Sequence, residues 1–268
     1  MPQIALGLAS YVARPLNYHM TGDWSQGEQA TSAYFKPIKT FSERFEAYLA
    51  DVVGFGLSMV DMWQPILDYR WLTDAHLDSA IDLLNEYDIS LSGFAGPLGA
   101  SPEEFERNCE IAAELNAPLL VGQLPLAAKQ RGLVINTLQK YGLRWAYENN
   151  REKTAQEILA HAGSAGEGTI GVCADVGWFG THTMDAEATL RSLAPRLFHV
   201  HLKDVRAAGG HETCRFGEGV VPLELCVRTL KAVGYEGALV IEHEPYLFDP
   251  SEDIRASLET LKGWLGES

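Results

Sequence analysis

The chain is poor in sulfur and in positive charge, and it has no long apolar run. Its four cysteines, Cys109, Cys173, Cys214 and Cys226, stand far apart with no Cys-x-x-Cys pair, so they read as reduced thiols used mostly for packing. No stretch of about 18 apolar residues exists, which excludes a membrane-spanning helix. The N-terminal Met1-Pro2-Gln3-Ile4-Ala5-Leu6-Gly7 runs directly into a strand-like segment, without the basic start and longer apolar core of an export signal, so a cytoplasmic protein is expected. Lys and Arg number 21 against 36 Asp and Glu, a net charge of −15. That balance argues against nucleic acid and anionic membrane surfaces, because both are held through excess basic residues. Neither a Walker A loop nor Gly-x-Ser-x-Gly is present, so phosphate-cradle and serine-hydrolase chemistry have no local support.

What the sequence does contain is alternation. Short apolar runs at 4–9, 57–63, 89–94, 118–123, 143–148, 170–175, 197–203 and 238–243 read as strands. Segments of helical period at 41–53, 74–87, 102–115, 127–140, 153–162, 186–193, 223–232 and 251–265 follow them. Ser101-Pro102-Glu103-Glu104, Thr73-Asp74 and Asp249-Pro250-Ser251-Glu252-Asp253 carry the caps, prolines and acids of helix starts. Gly54, Gly142 and Gly234 fall where helices end. Eight such units predict an α/β fold, a (β/α)8 TIM barrel, at about 33 residues per unit. One domain over 1–268 is expected, with a long loop at about 11–40, containing Asn17, His19, Trp24 and Tyr34, as a lid or binding loop.

In such a barrel, chemistry sits at the C-terminal strand ends. Four consecutive predicted strands deliver Glu148, Asp175, a histidine and Glu242 to one rim. A single acid at a strand end is more often a helix cap, but three converging carboxylates would repel one another strongly without a cation. The mixed oxygen and nitrogen set suits one hard divalent ion, Mn²⁺ first, with Mg²⁺, Co²⁺ or Zn²⁺ as alternatives. His199 and His201 share a face; His201 lies nearer the rim and is the better ligand, while His199 reads as a deeper, hydrogen-bonded residue. His243 faces away from Glu242, and Glu244 lies beyond it in a supporting or solvated position.

With His199-Val200-His201-Leu202-Lys203-Asp204, Phe216-Gly217-Glu218-Gly219-Val220 and Ile241-Glu242-His243-Glu244, the chain resembles the xylose-isomerase-like TIM-barrel superfamily of sugar isomerases and epimerases. That group includes ketose 3-epimerases, inosose isomerases and dehydratases, and endonuclease IV, whose multi-zinc set and DNA-compatible charge have no counterpart here. The resemblance implies metal ligands at Glu148, Asp175, His201 and Glu242, with the two glutamates as an acid/base pair. It also implies a substrate-side Gly-Glu-Gly loop and a substrate contact from Arg206. Two positions depart from the ketose epimerases: Trp178 stands where many have a substrate-touching histidine, and Thr154 where some have a second glutamate.

These readings predict a metal-dependent isomerase or epimerase of a keto-sugar or cyclitol, working by proton abstraction next to a carbonyl. A dehydratase or β-eliminating lyase on a keto-sugar, inosose or keto-glycoside uses the same groups, and a non-catalytic sugar-binding barrel is a third possibility. Lys203 and Arg206 are expected to hold substrate oxygens, although Lys203 could equally pair with Asp204. His199 is grouped with the candidate substrate contacts, and Trp63 and Trp178 either stack on a sugar ring or pack. The superfamily's habits imply a homo-oligomer, dimer or tetramer.

Overall fold

The computed structural model describes residues 3–266. In chain order its strands are β1 (Ile4–Gly7), β2 (Met59–Trp63), β3 (Ser90–Ala95), β4 (Leu119–Val121), β5 (Arg144–Glu148), β6 (Ile170–Asp175), β7 (Leu197–Leu202), β8 (Asp204–Val205), β9 (Thr213–Cys214) and β10 (Leu239–Ile241). The helices are α1 (Trp24–Phe35), α2 (Ile38–Gly54), α3 (Asp74–Glu86), α4 (Pro102–Glu114), α5 (Leu126–Tyr141), α6 (Ala155–Ala162), α7 (Val176–Thr181), α8 (Ala186–Leu193), α9 (Leu223–Ala232) and α10 (Ser251–Leu265). Eight strands close into a parallel barrel in the order β1-β10-β7-β6-β5-β4-β3-β2, the TIM barrel that the alternation predicts. β8 and β9 form a separate antiparallel pair.

Local chemistry sets the helix ends. Ser101 caps α4 reciprocally: its hydroxyl accepts from Glu104 N–H, and the Glu104 carboxylate accepts from Ser101 N–H, each at 3.3 Å. Gly142 and Gly234 adopt left-handed φ of 68° and 73° at their helix ends, but after α2 that turn falls to Gly56 (φ 76°) and not to Gly54. One Gly-x-Gly-x-x-Gly match, Gly166-Glu167-Gly168-Thr169-Ile170-Gly171, leads into β6 rather than from a strand into a helix. It therefore lacks the context in which that motif cradles a pyrophosphate.

The stretch 11–40 is not the irregular lid expected. It holds α1, capped by Asp23, whose carboxylate accepts from Ser25 N–H at 3.1 Å. Ser32 on α1 donates to the buried Asp68 at 2.6 Å and accepts from the Trp71 indole N–H at 2.8 Å, tying the helix to the segment after β2. A helix whose inward face includes Gly27, Thr31 and Ser32 gives almost no apolar period, so the pattern was invisible to hydrophobic spacing.

Asp204, fully buried, holds the chain after β7 in place. Its two oxygens accept from the backbone N–H groups of Val205, Gly217, Gly219 and Val221 at 2.9–3.1 Å. A Cβ on Gly219 would run into the Asp204 carboxylate and the Val205 carbonyl, so the close approach requires glycine. The Gly-Glu-Gly element is thus the cradle of a carboxylate, and it does not line the cavity described below. Replacing Asp204 by Ala strands four backbone donors, those of Val205 and Val221 buried; urea unfolding of D204A is expected to show a loss of about 3 kcal/mol.

Candidate active site at the barrel mouth

Ala95, Leu119, Val121, Ala146 and Cys173 form a small apolar cluster separate from the main core. Two residues further along their strands, on the same face, stand Glu148 after Ala146 and Asp175 after Cys173. Above this plug opens a cavity of about 1070 Å³. The neighbouring strands β5, β6, β7 and β10 bring Glu148, Asp175, His201 and Glu242 to its floor, with candidate ligand atoms all within 4.8 Å of one another. The four residues singled out from strand ends therefore do meet.

His201 sits at the centre. Its Nδ1 is 2.8 Å from Glu148 Oε1 and 3.2 Å from Glu242 Oε2, and its Nε2 is 3.0 Å from Asp61 Oδ2. Asp61, on β2, reaches His201 from the far side of the barrel. The same oxygen lies 3.3 Å from His199 Nε2, which is misaligned for a hydrogen bond. Burial pushes the Asp61 carboxyl up, but the two imidazoles outweigh it and hold the acid well below its usual range. Burial pulls the His201 imidazole down, but the surrounding negative groups, Glu242 and Glu148 among them, raise it well above its ordinary value, so Nδ1–H donates to Glu148. With Asp61 fixing Nε2–H, Nδ1 is the nitrogen whose proton a cation would displace.

Asp175 is a helix cap and also leaves one carboxylate oxygen unused. Its Oδ1 caps α7 by accepting from Gly177 N–H at 2.8 Å, and Asn149 pairs with its backbone through two 3.0 Å bonds. Its Oδ2 is buried and has no hydrogen bond. Lys203 Nζ lies 3.1 Å from that oxygen, off the hydrogen-bonding direction, and 3.0 Å and 2.9 Å from Glu242 and Glu244. Burial pulls the Lys203 ammonium down, but Asp175, Glu242 and Glu244 raise it well above its ordinary value and keep it charged. Burial likewise lifts the Glu244 carboxyl, whereas the His201 and Lys203 charges overcome burial and depress Glu242. Lys203 is thus tied into the floor and does not pair with Asp204.

A buried carboxylate oxygen lacking a hydrogen bond, beside two further carboxylates and an oriented imidazole nitrogen, fits a hard divalent cation. Gly7 makes room for the arrangement: a Cβ there would stand 2.6 Å from Glu242 Cγ.

The remaining candidates separate. Trp63 is buried and lines the cavity, tilted against Trp24 at 5.5 Å. Trp178 also lines it, but the His211 ring lies flat against it at 3.5 Å. Arg206 does not line the cavity; its side chain is half exposed and paired with Glu212 at 3.0 Å. His199 is buried in the barrel beneath the site and lines no part of the cavity. His243, as its outward phase implied, is structural, with Thr213 at 3.0 Å and Asp253 at 3.1 Å. Asp61 and His211 are the residues that the sequence reading missed. An acid inside the apolar run 57–63 was the available signal for Asp61.

Two substitutions test this geometry. D61N keeps the size but removes the charge that orients His201; Mn²⁺ affinity by calorimetry is expected to fall about 10–100-fold with the melting curve cooperative. G7A is expected to displace Glu242 and weaken Mn²⁺ binding, whereas unchanged affinity would show that Glu242 has room to shift.

Comparison with known proteins bears on the fold and the family. L-ribulose-5-phosphate 3-epimerase UlaE of Escherichia coli is 32% identical over 91 residues, a match covering 34% of this chain and 31% of that protein. The matched stretch thus spans about a third of the relative's length. Among solved structures, the D-allulose 3-epimerase of Methylomonas sp. in complex with D-allulose superposes with a TM-score of 0.65 at 15% identity, covering 98% of both chains. The IolI protein with a bound zinc atom gives 0.71 at 13% identity, covering 99% of this chain and 98% of that one. The family profile described as xylose isomerase-like TIM barrel matches residues 22–264, and the chain belongs to that family.

Proposed function

We propose that this chain is a divalent-metal-dependent epimerase or isomerase acting on an unphosphorylated keto-sugar or cyclitol. The observation that carries the reading is the pair Glu148 and Glu242, which different strands bring within 2.8 Å and 3.2 Å of His201 Nδ1. Glu148, Asp175, His201 and Glu242 would hold the ion. When bound, it supplies Lewis acidity to the substrate's carbonyl oxygen and adjoining hydroxyl. One glutamate takes the proton from the carbon next to the carbonyl. The other, carrying a proton drawn from solvent, delivers that proton to the opposite face of the enediolate, which inverts the centre and leaves the abstracted proton on the first. Glu148 is partly exposed to the cavity and Glu242 is nearly buried, so the two meet the substrate from unlike environments. Lys203 holds Glu242 and Glu244 together and balances the negative charge of the floor.

The cavity wall supports a neutral substrate. Six acids, Glu28, Glu148, Asp175, Glu212, Glu242 and Glu244, line it, against one lysine and no arginine. Lys203 already faces three carboxylates, which leaves no cation for a phosphate. UlaE, by its name, acts on a phosphate ester; that feature is not carried over.

One observation favours the second reading, elimination from a keto-glycoside. The cavity, about 1070 Å³, is at the top of the range of about 300–1,000 Å³ typical of ligand pockets, and Tyr246, Leu247 and Phe248 give its rim an apolar side suited to a leaving aglycone.

Incubation with ketoses and cyclitol ketones in D₂O distinguishes the readings. Epimer formation with solvent deuterium at the α-carbon is the expected result. Loss of water or an aglycone would assign the lyase chemistry, and no exchange with any candidate would overturn both. E148Q and E242Q are each expected to lower kcat at least about 10³-fold with the melting temperature retained. Saturating Mn²⁺ at about 100 times its Kd should add about 2.7 kcal/mol to stability, reversed by chelator. An unchanged melting curve would rule out the metal.

A further inference from the structure

His211 lies on the chain reversal between β8 and β9, half-buried, and lines the cavity. Trp178 holds its ring flat, with centroids 3.5 Å apart and planes 9° from parallel. Thr181, the last residue of α7, fixes its edge: Thr181 Oγ1 is 2.8 Å from His211 Nδ1 and 2.8 Å from the Gly210 carbonyl oxygen. A carbonyl oxygen cannot donate, so the single Thr181 hydroxyl proton is committed to Gly210. Thr181 Oγ1 must therefore accept from His211 Nδ1–H. This network places a proton on Nδ1, so in the neutral ring Nε2 is a bare acceptor. Nε2 has no hydrogen-bond partner among the described residues. Burial, followed by the Lys203 charge, pulls the imidazole down to about 4 against smaller opposing effects of Asp175 and Glu242, so the ring is neutral at pH 7. Gly209 N–H donates to the Thr181 carbonyl at 2.9 Å, which locks the reversal to α7.

We propose that His211 is a substrate-binding residue whose Nε2 accepts a hydrogen bond from a hydroxyl of the polyol held at the Glu148–Glu242 floor, and that Thr181 is the positioning residue that sets its tautomer. The inference rests on the epimerase reading for the identity of the polyol, but the tautomer stands independently of it. A neutral acceptor here selects for a donor. A hydroxyl satisfies Nε2, whereas a phosphate dianion or a bare carbonyl brings another acceptor and leaves the lone pair opposed. The site thus reads hydroxyl groups on the part of the substrate beside Trp178.

The test is nitrogen NMR on ¹⁵N-histidine-labelled, Mg²⁺-loaded protein at pH 7, with the H211N spectrum assigning the signal. The expected spectrum shows a protonated Nδ1 and an acceptor Nε2, and T181V removes that preference. On titration with D-fructose, D-tagatose and D-allulose, the Nε2 resonance should move with the ketose that binds while Nδ1 stays. In turnover, H211N should raise KM about tenfold, the scale of one hydrogen bond, with kcat within about threefold. H211Q, which extends an amide oxygen toward the place of Nε2, should recover most of that loss. An Nε2–H tautomer, an imidazolium, or a bound ketose that leaves Nε2 unmoved overturns the inference. The expected tautomer with none of the three ketoses shifting any resonance overturns the substrate half of the inference and, for these ketoses, the epimerase reading.

Discussion

The structure turns on how buried negative charge is neutralised at the barrel mouth. Asp61, Asp175, Asp204, Glu242 and Glu244 are buried or nearly so, and an uncompensated carboxylate at any of those depths costs several kcal/mol. Each is answered differently. Asp204 is taken up entirely by backbone N–H groups, Asp61 by two imidazoles, and Asp175, Glu242 and Glu244 by one ammonium. Asp204 receives a directional hydrogen bond on each oxygen, whereas Asp61 receives one from His201 and one from Ser92 and only the charge of His199. In the third, Asp175 Oδ1 caps α7 while its Oδ2 meets only the Lys203 charge, which leaves a buried carboxylate oxygen suited to a cation. Asp204 and Asp175 therefore differ in whether both carboxylate oxygens are taken by directional donors.

The barrel and the four residues of its floor were legible because both follow from short-range rules. Strand and helix periods set the alternation, and the TIM architecture sends strand ends to one rim, so Glu148, Asp175, His201 and Glu242 could be placed without contacts. What failed was long-range or loop-borne. Asp61 meets His201 across the barrel interior, 140 residues away in sequence, and no local pattern encodes that distance. Arg206 was drawn to the substrate by its nearness to His201, but it begins the β8–β9 reversal and pairs with Glu212 instead. The Lys203–Asp204 alternative failed on a local rule: adjacent residues of an extended chain point to opposite sides, so Lys203 faces the floor while Asp204 faces its loop. Among the acids of the described residues, Glu148, Asp175 and Glu242 stand together as candidate ligands.

The same reversal links fold and specificity. Because Asp204 gathers the amides of residues 217–221, and Thr181 receives Gly209 and His211, the chain between β7 and α9 is pinned at both ends against the barrel. Pinning keeps a loop residue, His211, at a defined place beside Trp178 rather than in solvent. Binding residues on loops discriminate only when a rigid scaffold fixes them. The floor supplied by strands carries the part of the site suited to proton transfer, and the pinned loop carries the part suited to recognition. Variation in the loop can therefore change which hydroxyls are read without disturbing Glu148 or Glu242, because no hydrogen bond connects His211 to either glutamate.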